Sequence, residues 1–195
     1  MTAAHPGIGY ARAALDGSDD AIDALAKAWL PTVYAWCHRL GGPGVDAEGA
    51  AHDVLMVMVR RLHTVQSPEQ FPSWLFGTCR RVIANHRRKA WLRRWVPGPI
   101  RERAHPDPGP ERSVQARQAA DLVWAALEAL PVDQREVLVL CELEERSGSE
   151  AAELLGIPLG TVKSRLRAAK QAFRSAVEAS GGAPTADAPR AVEVG

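Results

Sequence analysis

The stretch Ser149-Glu-Ala-Ala-Glu-Leu-Leu-Gly156-Ile-Pro158-Leu-Gly-Thr161-Val-Lys163-Ser-Arg165-Leu-Arg167-Ala-Ala-Lys170-Gln-Ala-Phe173 reads as a short helix, a glycine turn and a second helix with a basic outer face. Ser149 is the expected N-cap, Glu150 and Glu153 suit the positive end of the helix dipole, and Ala152 and Leu155 form the inward stripe. Gly156 supplies the left-handed residue that ends this helix, Ile157 turns toward the core, and Pro158 stops the helix from continuing. In the second helix Val162, Leu166, Ala169 and Phe173 recur at helical spacing and face inward. Thr161, Lys163, Ser164, Arg165, Arg167 and Lys170 are left outside, and no acid occurs between Glu153 and Glu178. Cations beside short hydroxyl donors suit phosphate contacts and the reading of base edges in the major groove of duplex DNA.

Working outward, 195 residues with 46% hydrophobic content can bury one large core or two small ones. No apolar run approaches a membrane span, and the start Met1-Thr-Ala-Ala-His-Pro-Gly7 lacks a charged, then apolar, leader, so no membrane insertion and a cytoplasmic location are expected. Cys37, Cys79 and Cys141 are odd in number and lie in apolar helical patterns, which fits reduced core thiols. Cys37-His38 is too small a set for a metal site; neither a metal nor a cofactor is expected.

The net charge of +1 conceals segregation. From Arg80 to Arg103 nine cations face the single acid Glu102, whereas acids gather at Asp16 to Asp23, Asp46 to Asp53 and Asp133 to Glu153. A nearly neutral chain thus offers basic surface to a polyanion and acidic surface to another partner. The segment 97–112 holds five prolines and two glycines, which reads as a flexible linker. Elsewhere the period is helical, with helices expected near 19–39, 46–63, 71–95, 114–129, 133–145, 149–155 and 159–178. The expected fold is all-α: two small helical domains, 19–96 and 114–180, joined by a Pro-rich flexible linker at 97–113, with a flexible N-terminus 1–18 and a disordered tail 181–195.

The first domain carries a second nucleic-acid signal. On the helix beginning near Pro72, the outward positions Trp74, Thr78, Arg81, Asn85 and Arg88 follow at near four-residue steps, with Arg80, Arg87 and Trp91 alongside. Cations to follow phosphates, rings to stack bases and an amide to read base edges are what an unpaired strand requires, and each stacked base contributes about 1–3 kcal/mol. The same tryptophans could instead seal the helix against its neighbours. The stretch from His63 to Pro72 reads as a loop able to pocket a flipped base, or as a connector. Before it, the helix capped by Asp46 turns Ala47, Ala50, Ala51, Val54, Met58 and Leu62 inward and presents Glu48, His52, Asp53, Met56 and Arg60, a surface suited to a basic partner helix.

Over most of residues 19–178 the chain resembles the extracytoplasmic-function, or group four, sigma factors of bacterial RNA polymerase. The segments 127–140 and 155–167 look like sigma region 4, Phe71-Pro-Ser-Trp-Leu-Phe76 and the arginine run after it like the strand-separating part of region 2, and 46–55 like its polymerase-binding helix. The resemblance implies that Asp46, Glu48, His52, Asp53, Met56 and Arg60 contact core RNA polymerase. It implies that Trp74, Arg80, Arg81, Asn85, Arg87, Arg88 and Trp91 hold the melted minus-ten element of promoter DNA, and that Thr161, Lys163, Ser164, Arg165, Arg167 and Lys170 read the minus-35 duplex. An anti-sigma protein is the expected further partner. The chain departs from the family pattern at Gly49, His52, Ala151, Arg146 and Gly148. A helix-turn-helix regulator binding duplex half-sites is the competing reading, but it leaves the arginine- and tryptophan-rich first domain without a role. An enzyme is not expected, since no carboxylate cluster, phosphate-binding glycine loop or nucleophile with its base is present.

Overall fold

The computed structural model describes residues 8–93 and 114–180, so the expected linker, the tail and the first seven residues lie outside the described residues. Within them the chain is helical: α1 Ile8–Leu15, α2 Asp19–Gly41, α3 Ala47–Arg61, α4 Phe71–Arg93, α5 Val114–Ala129, α6 Val132–Leu138, α7 Gly148–Leu155 and α8 Leu159–Ala179. It divides into two compact units, the first holding α1 to α4 and the second α5, α6, α8 and the start of α7.

In the first unit α2 packs against α1, α3 and α4, and α3 packs against α4. The aromatic rings of α2 supply the middle of the core: Trp29 meets Phe71 edge-on at 5.4 Å, Trp36 meets Phe76 edge-on at 5.0 Å, and the two indoles lie 6.0 Å apart. Such tilted and T-shaped contacts place the positive edge of one ring on the negative face of the next. Ser18 caps α2 by accepting from the Ala21 amide, and Asp46 caps α3 by accepting from the Gly49 amide at 3.0 Å. Gly49 matters to that cap, because a Cβ there would lie 2.5 Å from Asp46 Oδ2. Cys37 and Cys79 are buried free thiols, and the hydrogen bond to Cys37, followed by burial, pushes the Cys79 thiol well above its ordinary range.

Three local expectations change. Residues 8–15 are not part of a flexible N-terminus: they form α1, whose Ala11 and Ala14 are buried. The loop expected from His63 to Pro72 holds two 3-10 turns, Leu62–Thr64 and Pro68–Gln70, with Leu62, Val65 and Pro68 buried, and it ends where α4 begins at Phe71. The helix expected at 133–145 is α6 followed by a π turn at Val139–Leu143.

In the second unit α8 packs on α5 and α6, around Leu127, Leu130, Leu138 and Ala169, with Trp124, Leu166, Ala172 and Phe173 against them. Arg135 is buried, and its guanidinium donates to the carbonyls of Leu127 at 2.7 Å, Glu128 at 2.9 Å and Leu130 at 3.0 Å. These carbonyls lie at and just beyond the C-terminal end of α5, where helical hydrogen bonding runs out, so one cation serves three of them at the negative end of the helix dipole.

Candidate nucleic-acid interface

The helix-turn-helix is built by its caps. Ser147, not Ser149, caps α7: its hydroxyl accepts from the Glu150 amide at 3.2 Å, while Glu150 Oε2 accepts from the Ser147 amide at 2.9 Å and from its hydroxyl at 2.8 Å. These bonds hold the Glu150 carboxyl below the usual carboxylate range, the Ser147 hydroxyl contributing most. The inward position of α7 is Ala151, fully buried, with Ala152 and Leu155 half-buried, so the stripe is rotated by one residue from the expected one. Gly156 at φ +66 ends α7, with its amide on the Glu153 carbonyl and that of Ile157 on the Ala152 carbonyl. Pro158 then starts α8 with extended backbone.

On α8, Val162 and Ala169 are buried and Leu166 and Phe173 half-buried, as their spacing requires. The outer residues are not equivalent. Lys163 and Arg167 are exposed and have no ion pair among the described residues. Arg165 lies half-buried with Nε 3.2 Å from Asp133 Oδ2, and Lys170 Nζ lies 2.8 Å from Glu142 Oε1. The Ser164 hydroxyl donates to the Thr161 carbonyl at 3.0 Å. Exposed Gln171 stands four residues beyond Arg167 and seven beyond Ser164, on the same face; its i, i+4 and i, i+7 spacing was the signal that could have added it to the outer set.

Along α4 the expected outward row separates by depth. Thr78 is buried, donates to the Trp74 carbonyl at 3.0 Å and accepts from Arg81 Nη2 at 3.1 Å. Trp74 is half-buried and stacked on Phe71 at 6.2 Å, so its ring is partly committed to the fold. Arg87 reaches back to the end of α2, donating to the carbonyls of Gly41 at 3.1 Å and Leu40 at 3.4 Å. Arg80 is half-buried, whereas Arg81, Asn85, Arg88 and Trp91 are exposed, and Asn85 and Arg88 have no protein partner among the described residues.

On α3 the residues Glu48, His52, Met56 and Arg60 are exposed together. Asp46 is exposed but holds the helix cap, and Asp53 Oδ2 lies 2.8 Å from His86 Nε2 of α4. Among the described residues no group of three His, Cys, Asp or Glu side chains could hold a metal ion, and no helix is long and apolar enough to cross a membrane.

Described residues that are helical throughout, with a capped helix-turn-helix, a cationic second helix and a further helical unit, define a helix-turn-helix DNA-binding protein of two-unit design. The sigma-70 region 2 profile matches residues 25–93, within the first unit, and the sigma-70 region 4 profile matches residues 120–173. The chain is 34% identical over 162 residues to the ECF RNA polymerase sigma factor SigE of Mycolicibacterium smegmatis, across 78% of this chain and 60% of that protein's length. It is 30% identical over 157 residues to the ECF RNA polymerase sigma factor EcfG of Rhodopseudomonas palustris, across 78% of this chain and 82% of the relative. Among solved structures, the sigma factor RpoE in complex with the anti-sigma factor NepR from Bartonella quintana matches with TM-score 0.55 and 25% identity, over 76% of this chain and 91% of that one. The chain belongs to the extracytoplasmic-function sigma factors of the sigma-70 family.

Proposed function

We propose that this chain is the promoter-specificity subunit of a cytoplasmic RNA polymerase, docking on the core enzyme and directing initiation, with the bond-forming chemistry left to the polymerase. The supporting observation is the order of two family matches in one chain, each over helices that expose a cationic face. A regulator that only binds duplex sites has no use for the region 2 match over 25–93.

In this reading Glu48, His52, Met56 and Arg60 of α3 form the polymerase surface, with Asp46 and Asp53 holding that helix in place. Arg80, Arg81, Asn85, Arg88 and Trp91 of α4 hold the unpaired minus-ten strand, the arginines along phosphates and the exposed indole under a base. Trp74 and Arg87 serve chiefly to set α4 against its neighbours. On α8, Thr161, Lys163, Ser164, Arg165, Arg167 and Gln171 meet the minus-35 duplex, and Lys170 anchors the helix to Glu142. The likeness to a sigma factor solved with its anti-sigma protein points to a partner of that kind for this chain.

Run-off transcription with core polymerase tests the function. Purified chain is expected to assemble with the core enzyme and yield transcripts from a subset of promoters on which the core enzyme alone is silent. Failure to co-purify with core polymerase, together with binding to duplex sites alone, would support the regulator instead.

A further inference from the structure

Five cations lie on α8; Arg174, near its end, donates to the Lys170 carbonyl at 3.3 Å, and the surroundings of the other four differ. Lys163 and Arg167 are exposed without an ion pair among the described residues, so their side chains are free to follow phosphates. Lys170, a point charge, is matched by Glu142 at 2.8 Å. Arg165 differs from all three: its Nε lies 3.2 Å from Asp133 Oδ2, and its terminal amino groups make no hydrogen bond among the described residues.

The carboxylate that does this is itself oriented. Asp133 Oδ1 accepts from the Gln134 amide at 3.0 Å, so one oxygen is tied to the backbone at the start of α6 while the other faces the guanidinium. With 34% of the Arg165 side chain and 46% of the Asp133 side chain exposed, the pair adds little to stability. Its effect is on conformational freedom, because an arginine held at Nε presents its planar fork in a narrower range of directions. A fork of two N–H donors matches the O6 and N7 acceptors of guanine in the major groove.

We propose that Asp133 is a positioning residue for base reading, holding Arg165 so that its terminal amino groups meet a guanine of the upstream promoter element. The proposal rests on the assignment of α8 as the duplex-reading helix. Asp133 touches no base in this scheme; it restricts the residue that does.

The test is run-off transcription by core polymerase carrying the full chain, on promoters in which each base pair of the upstream element is varied singly. Arg165→Ala is expected to lower the preference for a guanine at one base pair by about tenfold. Asp133→Asn is expected to lower preference severalfold at that same base pair, leave the others unchanged, and add nothing in the Arg165→Ala background. Arg165→Lys, which leaves Asp133 in place but replaces the fork by a point charge, is expected to give the same single-position loss. If Arg165→Ala abolishes the preference while Asp133→Asn keeps it, the positioning role is wrong and the reading of α8 stands. A uniform decline at every base pair in Asp133→Asn overturns the proposal by making the pair merely structural. Unchanged preferences in Arg165→Ala would remove both the positioning role and the base-reading role of Arg165.

Discussion

Ser147 and Glu150 satisfy each other's backbone amides at the entry to α7, which couples the charge of Glu150 to the start of that helix. Its carboxyl is held low in the folded chain, first by the Ser147 hydroxyl and then by the Ser147 amide. A depressed carboxyl stabilises the fold above the ordinary glutamate range, and that contribution is lost as pH falls through the depressed value. Because the site is largely open to solvent, the loss is local fraying of α7 rather than unfolding of the unit. An NMR titration should place the Glu150 midpoint below the ordinary glutamate range, and Ser147→Ala should move it back up. A midpoint indifferent to that substitution would show that the cap does not govern the carboxyl. The cap was mislocated by two residues in the sequence because Ser147 and Ser149 are both good cap residues; only the glutamate three positions on selects Ser147, and Ser149 Oγ merely lies 3.1 Å from Ser147 Oγ.

Helix α4 shows how one element divides between fold and surface. Its first half is covered by the aromatic core of α2, whereas its second half is largely exposed, so residues on one angular face meet different surroundings. Periodicity reports direction around a helix axis and not depth along it, which is why Thr78 reads as outward yet is buried and back-bonded to Trp74. The helices themselves were legible, because Leu75, Cys79 and Ile83 on α4 and Ala50, Val54 and Met58 on α3 repeat at helical spacing and are buried. Helix α1 was not, since its buried side chains are Ala11 and Ala14, too small to mark an apolar stripe. The ion pairs of Arg165 and Lys170 and the reach of Arg87 to α2 join residues far apart in the chain, and no local pattern announces them. The neighbours Arg87 and Arg88 therefore should behave differently. Arg87→Ala leaves carbonyls of Leu40 and Gly41 without this charged donor and should destabilise the first unit by about 2 kcal/mol in denaturant unfolding. Arg88→Ala should stay within about 0.5 kcal/mol of the native chain while impairing strand opening. Equal destabilisation by both would erase the division between a clamp and a nucleic-acid contact.

At the scale of the whole molecule, each unit carries its own core: the indoles and phenylalanines around α2 in the first, the leucines around Ala169 in the second. Exposed residues of either unit can therefore be substituted without touching the core of that unit. If the proposed roles of α8 and α4 hold, closed-complex binding and strand opening should be alterable one at a time. Lys163→Ala with Arg167→Ala should weaken the initial complex of the loaded polymerase and lower the slope of log affinity against log salt by about 1.8, as two phosphate contacts are lost. Asn85→Ala with Arg88→Ala should leave the closed-complex footprint in place and reduce permanganate reactivity of unpaired thymines. When the four substitutions are combined, the two free-energy losses should add to within about 0.5 kcal/mol, because the two sets share no partner among the described residues. A combined loss well below that sum would mean that both faces act on one step of initiation, and the assignment of paired DNA to α8 and unpaired DNA to α4 would then have to be abandoned.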